Sequence, residues 1–122
     1  MNKKFSAWLD EILENTYFEE VKAFNFNLYE TEDEHKFDIQ IIGSSVYDKN
    51  DSDWACEEIF TSGENVFRVD AEDWITCLET SSELVKDYLE SGKFRNVLTK
   101  TLAVSVGFVD GDLSVLYEGE LQ

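Results

Sequence analysis

The chain has 122 residues, with 27 acidic and 10 basic side chains and a formal net charge of -17. This charge argues against binding to nucleic acid or to an anionic membrane, which both require clustered Lys and Arg, and the longest basic run is Lys3-Lys4. Hydrophobic residues make up 43% of the chain and aromatic residues 14%, so we expect a folded domain with an acidic surface rather than a disordered chain.

The first half of the chain predicts a helix followed by a β-hairpin. Residues 5–15 carry apolar side chains at helical spacing and predict an amphipathic helix that ends near Asn15-Thr16; its buried stripe is Phe5, Trp8, Leu9, Ile12 and Leu13. Residues 21–30 alternate and predict a half-buried strand, with Phe24, Phe26 and Leu28 on one face and Asn25 and Asn27 on the other. A polar turn over 30–36 leads to a second alternating strand that contains Phe37, Ile39 and Ile41.

The middle of the chain is less regular. A polar loop over residues 47–53 precedes an alternating segment, 54–61, which predicts a third strand, and residues 66–69 predict a short extra strand. Asp70 is the expected N-cap of a helix over 71–91 that Gly92 closes. Trp74 and Leu78 begin its apolar stripe, and the run Thr80-Ser81-Ser82 leaves open whether this segment is one helix or two. A short helical turn is expected near residues 94–98.

The end of the chain predicts a β-hairpin. Residues 102–109 and 113–117 are rich in β-branched and aromatic residues, and they flank Asp110-Gly111-Asp112, a typical hairpin turn. The order of helix, strands, helices and strands predicts an α+β fold. We expect a mostly antiparallel sheet with an N-terminal helix and a central helix, or helix pair, packed on one face. No linker or repeat divides the chain, so we assign residues 1–122 to a single domain.

The sequence contains no catalytic, cofactor-binding or metal-binding motif that we can identify. Asp48-x-Asn50-x-Ser52 begins like an EF-hand loop, but Asp53 and Ile59 stand where that loop needs Gly and Glu. The single histidine, His35, is expected in a solvated turn. Cys56 and Cys77 are expected to be reduced and largely buried. Two cysteines and no signal-peptide pattern favour a cytoplasmic protein.

Acidic residues are concentrated in the segment from Glu30 to Glu58. This segment contains ten acidic residues and two lysines, which gives a net charge of -8 in 29 residues. Such a surface can serve solubility alone, or it can steer a basic partner into contact. We therefore expect a basic protein partner, bound by acidic residues of this stretch: Glu30, Glu32, Asp33, Asp48, Asp51, Asp53, Glu57 and Glu58.

The whole chain resembles the small acidic immunity proteins of bacterial polymorphic and contact-dependent toxin systems. The resemblance lies in size, charge and the strand-helix-hairpin layout, most visibly in Trp54-Ala-Cys-Glu-Glu58 and Val106-Gly-Phe-Val-Asp-Gly-Asp-Leu113. It implies a non-enzymatic domain that binds a cognate toxin, often a basic nuclease, and blocks its active site or an exosite. The alternatives are an adaptor or assembly protein of a phage or host complex, a DNA-mimic inhibitor and, last, an enzyme.

Overall fold

The computed structural model describes residues 3–14, 18–109 and 111–119, with only the backbone of Ser52. The predicted ends at Asn15-Thr16 and Asp110 lie outside these residues. Ten elements follow in chain order: α1 (Lys3–Glu14), β1 (Ala23–Glu30), β2 (Lys36–Ser44), a 3-10 helix (Ser52–Cys56), β3 (Glu58–Thr61), β4 (Phe67–Asp70), α2 (Trp74–Ser91), α3 (Arg95–Thr99), β5 (Ala103–Phe108) and β6 (Ser114–Glu118).

The strands form a six-stranded, mostly antiparallel sheet in the order β3-β2-β1-β5-β6, with β4 pairing beside β3 on the outer edge of β2. Among the described strand pairs, β1 and β5 alone run parallel, because the chain reaches the far edge of β1 through α2 and α3 rather than through a tight turn. The C-terminal strands β5 and β6 are antiparallel, as expected. The α+β fold is thus confirmed.

The main core lies between the helices and one face of the sheet. Phe24, Phe26 and Leu28 are fully buried there, as the alternation predicts. The ring of Phe5 in α1 lies 6.2 Å from that of Phe26 and 6.5 Å from that of Tyr88 in α2. Both long helices therefore pack on the same sheet face.

The opposite face is partly covered, which the alternation did not predict. Trp54 is buried against Ala23 and Ala103, and the hydroxyl of Ser44 donates to its carbonyl at 2.9 Å. Asn25, expected on a solvated face, is fully buried. The expectation of a half-buried β1 is therefore wrong at this end of the strand, because the connection after β2 folds back over it.

Two element boundaries differ from the sequence prediction. The third strand begins at Glu58 rather than at Trp54, because residues 52–56 form a 3-10 helix capped by the carboxylate of Asp51. Helix α2 begins at Trp74, and its N-cap is Asp73, since Asp70 is the last residue of β4. Helix α2 is continuous to Ser91 and ends at Gly92, so the segment forms one helix rather than two.

The two cysteines differ in burial. Cys77 is buried next to Ser81, with 3.9 Å between Sγ and Oγ, and burial raises the pKa of its thiol. Cys56 is exposed at the end of the 3-10 helix, so the expectation of two buried thiols is wrong for Cys56. Both are free.

Candidate protein-binding surface

The eight acidic residues predicted to bind a partner separate into two groups. Glu30, Glu32 and Asp33 lie at the turn between β1 and β2, where Glu30 pairs with Phe37. The other five lie at or after the far end of β2: Asp48, Asp51, Asp53, Glu57 and Glu58. The β2 backbone between Phe37 and Ser44 spans roughly 23 Å at about 3.3 Å per residue, so the stretch does not form one continuous patch.

Several of these carboxylates also have local structural partners. The Oδ1 atom of Asp48 accepts from the backbone N–H of Asn50 at 2.9 Å, and Oδ1 of Asp51 accepts from Asp53 at 3.0 Å. These bonds fix the loop and the start of the 3-10 helix. The EF-hand-like residues are therefore part of a turn.

The turn between β1 and β2 is docked against the segment before α2. Its last residue, His35, has a positive φ of 66°, its carbonyl accepts from the N–H of Ala71, and its Nδ1 lies 3.0 Å from the carbonyl oxygen of Glu72. The histidine is exposed, as expected, but it is not free of contacts. Its hydrogen bonds hold the acidic turn beside the first turn of α2.

Two cations near this turn are engaged by acids. Arg68 donates to Asp38 at 2.7 Å, and Lys36 lies 3.9 Å from Asp70. The hydrogen bond and charge of Asp38 raise the pKa of Arg68, with further contributions from Asp33 and Asp70. The positive charges of Arg68 and Lys36 are thus offset by neighbouring carboxylates, and this end of the sheet remains acidic.

An apolar groove lies beside the turn, between α2 and the connection from β5 to β6. We call it the Trp74 groove; its volume is about 750 Å³ and it is lined by Leu28, Tyr29, Glu30, Trp74, Leu78, Phe108, Val109, Gly111, Asp112 and Ser114. Trp74 is 54% exposed and Val109 49% exposed. The Trp74 ring meets Phe108 edge-on, with centroids 6.3 Å apart.

Trp74, which helical spacing places in the apolar stripe of α2, is exposed. Trp74 is the first residue of the helix, whereas Cys77, Ser81, Val85 and Tyr88 further along are buried. Helical spacing assigns Trp74 to the same side, but only the tertiary structure shows that this turn lies at the edge of the core.

A second, polar groove lies on the opposite face of the sheet. We call it the Asn25 groove; its volume is about 770 Å³ and it is lined by Asn25, Asn27, Asp53, Ala55, Cys56, Glu58, Phe108, Val109, Gly111, Asp112 and Leu113. The two grooves share Phe108, Val109, Gly111 and Asp112. Asp112 lies so close to β5 that a Cβ on Gly107 would be 2.7 Å from its carbonyl oxygen.

Two residues that line the Asn25 groove, Asn25 and Asn27, belong to a chain of hydrogen bonds between side chains. Ser105 donates to Asn25 Oδ1 at 2.7 Å, and Asn25 donates to Asn27. Asn27 and Tyr29 both donate to Oε1 of Gln40, at 3.3 and 2.9 Å. Because each member is held by a neighbour, the side-chain amides of Asn25 and Asn27 have fixed orientations.

Three of the eight predicted acids line these grooves. Glu30 lines the Trp74 groove, and Asp53 and Glu58 line the Asn25 groove. The remaining five are not among the described lining residues: Glu32, Asp33, Asp48, Asp51 and Glu57. Asp112 lines both grooves, and the sequence offered no signal for it beyond its place in a hairpin turn.

Over residues 3–14, 18–109 and 111–119, no three His, Cys, Asp or Glu side chains are arranged so that they could hold a metal ion. Within the same ranges, no helix combines the length and apolar character required to cross a bilayer.

Comparison of the chain with protein-family models, curated proteins and solved structures gave no match. The chemistry of the two grooves is therefore the guide to what this chain could bind.

Proposed function

We propose that this chain is a non-enzymatic protein-binding domain of the immunity type, which neutralises a cognate bacterial toxin by binding it through an acidic surface. The observation that carries the proposal is the set of carboxylates around the two adjoining grooves: Glu30, Asp53, Glu58 and Asp112. A net charge of -17 adds a long-range field of the same sign. Together they favour a partner rich in Lys and Arg.

The proposed mechanism has two parts: electrostatic attraction of the toxin, and then blockage of its substrate-binding surface. The negative field accelerates encounter with a basic toxin and disfavours acidic partners. On contact, the carboxylates around the grooves pair with Lys and Arg beside the toxin's substrate-binding surface. The toxin is inhibited because its substrate can no longer reach that surface.

The other protein-binding hypotheses are less well supported. A DNA mimic needs carboxylates spaced along one face like the phosphates of a duplex, whereas the acidic stretch here is divided between the two ends of β2. An adaptor of a phage or host complex would use the same grooves without inhibiting anything. Neighbouring genes separate these cases, because an immunity protein is encoded beside its toxin.

The proposal is tested by assaying the toxin encoded next to this chain. We expect an equimolar amount of the chain to abolish the toxin's activity, and the association rate constant to fall as salt is raised. Unchanged toxin activity at a stoichiometric excess would contradict the immunity role. An association rate that does not respond to salt would contradict the electrostatic mechanism.

A charge-matched pair of variants tests the surface itself. The first removes the four groove carboxylates (E30Q, D53N, E58Q and D112N), and the control removes four exposed acids elsewhere (E14Q, E20Q, E64Q and E90Q). Both raise the net charge by the same amount. We expect association to slow about tenfold or more in the groove variant and to change much less in the control, whereas equal slowing would show that only net charge matters.

A further inference from the structure

We infer that the Trp74 groove is the anchoring point for the partner and takes an apolar side chain of a basic protein segment, with Lys or Arg on either side of it. This inference rests on the proposed function only in that it takes the partner to be a basic protein. It moves the centre of the interface from the acidic loop after β2 to the first turn of α2 and the connection from β5 to β6.

The Trp74 groove exposes apolar surface. Trp74, Ile75 and Val109 are each about half exposed, at 54%, 50% and 49%. Trp74 and Val109 line the groove, and Ile75 follows Trp74 in α2. Tryptophan is enriched among the residues that contribute most to binding energy, since it buries a large area and loses little conformational freedom.

The walls of the Trp74 groove are packed in or against the core. Leu28 is fully buried in β1, and Leu78 and Phe108 are partly buried against the core. The edge-on contact with Phe108 supports the Trp74 ring. Rigid walls lower the entropic cost of binding, because the anchors need not be ordered when the partner arrives.

The charge around the Trp74 groove favours a basic occupant. Glu30 and Asp112 are the charged residues among the described lining of the Trp74 groove, and both are acidic. The neighbouring cations Lys36 and Arg68 are already paired with Asp70 and Asp38. A second copy of this chain would bring another net charge of -17 to the same surface, so repulsion favours a basic protein instead.

The experiment uses a synthetic probe with the chemistry of that occupant. The probe is a short peptide with two leucines flanked by lysines and arginines, and the reference peptide has serines in place of the leucines at equal charge. Both are titrated into the ¹⁵N-labelled full chain. We expect the leucine peptide to bind more tightly and to shift amide resonances chiefly in residues 28–30, 74–78, 108–109 and 111–114.

Three outcomes of the titration would overturn the inference. Equal affinity for the two peptides would show that binding is electrostatic alone. Shifts concentrated in residues 46–58 would place the anchor at the other acidic group. Self-association of the free chain through these residues, seen by light scattering, would assign the groove to a second copy.

Variants test the role of the tryptophan directly. We expect W74A to weaken binding of the leucine peptide by about 30-fold, the change typical of an anchoring residue, and V109S to weaken it less. The matched control is I59A, because Ile59 is 50% exposed, lies in β3 and is not among the described residues of the groove. An equal effect of I59A and W74A would contradict the inference, and amide spectra establish that each variant is folded.

The same variants separate this inference from the proposed function. If the chain neutralises the neighbouring toxin and W74A does so equally well, the proposed function stands and the Trp74 groove is not the anchor. If the leucine peptide binds at the groove while no toxin is inhibited, the groove is a docking site and the immunity role fails.

Discussion

The Tyr88 side chain joins three helices through one hydroxyl group. It is fully buried in α2, donates to Oδ1 of Asp10 in α1 at 2.6 Å, and accepts from the N–H of Phe94, just before α3, at 3.1 Å. Burial, followed by the hydrogen bond to Asp10, raises the pKa of this phenol well above its ordinary value. The group is therefore neutral at physiological pH and acts as both donor and acceptor.

Replacement of Tyr88 by phenylalanine should therefore destabilise the fold. Y88F removes the oxygen and leaves the N–H of Phe94 and the carboxylate of Asp10 without this partner. We expect a loss of about 1–3 kcal/mol in the free energy of unfolding, measured by urea denaturation.

The chain offers a matched control for this loss at Tyr47. Its hydroxyl oxygen is buried and has no hydrogen-bond partner among the described residues. Y47F removes the same atom but breaks no hydrogen bond seen in the structure, so stability should stay the same or rise. Equal destabilisation by Y88F and Y47F would mean that the hydrogen bonds of Tyr88 contribute nothing specific.

At the scale of elements, the start of α2 positions the Trp74 groove. The side chain of Asp73 accepts from the N–H of Thr76 at 2.8 Å and caps the helix. This fixes Trp74 as the first helical residue, next to the acidic turn that His35 holds in place. The predicted cap, Asp70, would have started the helix three residues too early.

The Asp73 cap should make stability depend on pH in acid. Hydrogen bonds from Thr76 lower the pKa of Asp73 below its ordinary value of 3.8. A lowered pKa in the folded state means that stabilisation is present above the unfolded-state value and is lost as pH falls through the folded-state value. As the pH falls from above the unfolded-state pKa of Asp73 through its folded-state pKa, we expect the stability of the parent chain to drop more than that of D73N. In D73N the side-chain amide oxygen can still cap the helix but does not titrate.

Denaturation of the parent, D73N and D73A between neutral pH and about pH 2 checks this expectation. D73A should be the least stable of the three at neutral pH, because it removes the cap itself. If the stability difference between the parent and D73N is the same at every pH, Asp73 does not contribute the titration we assign to it.

At the scale of the whole molecule, the sheet topology decides which acidic residues share a groove, and the net charge sets the repulsion between the others. The sheet order brings the connection from β5 to β6 beside the acidic turn, because β5 pairs with β1 in parallel and Leu28 lies opposite Phe108. Acids that are distant in sequence, such as Glu30 and Asp112, thereby share one groove. The remaining acids spread a repulsive field over the molecule.

This repulsion predicts that salt stabilises the folded chain at neutral pH. As ionic strength rises from about 0.01 M to about 0.15 M, the screening length falls from about 30 Å to about 8 Å. We expect the melting temperature to rise over this range, measured by circular dichroism. The same series near pH 4.1, the isoelectric point, is the control and should show a much smaller effect, whereas a melting temperature that falls with salt at neutral pH would contradict the argument.

Local pattern was sufficient for much of the fold. Alternation identified the buried face of β1, with Phe24, Phe26 and Leu28, and helical spacing identified α1 and the body of α2. Both signals depend on neighbours within a few residues, and period-2 or period-3.6 burial is visible in the sequence itself. The predicted N-cap of α2, Asp70, lies three positions before the observed one, Asp73. The sequence pattern did not distinguish them because both are aspartates that can cap a helix.

Long-range pairing decided what lines the grooves. Asn25 is polar and alternates outward, yet it is fully buried, on the face of the sheet where Trp54 packs against Ala23. Trp74 has the helical spacing of the residues that α2 buries, yet it is exposed because the first turn of the helix extends past the core. Neither fact leaves a local signal, since each depends on contacts between distant segments.

The sequence by itself determined the sign of the charge, the class of the fold and the composition of the core, because these follow from residue types and short-range periodicity. The tertiary structure alone decided which acids share a surface. It divided the stretch from Glu30 to Glu58 along β2 and placed Glu30 and Asp112 around an exposed tryptophan. The physical reason is that strand pairing, not sequence proximity, sets the distances between side chains in a sheet.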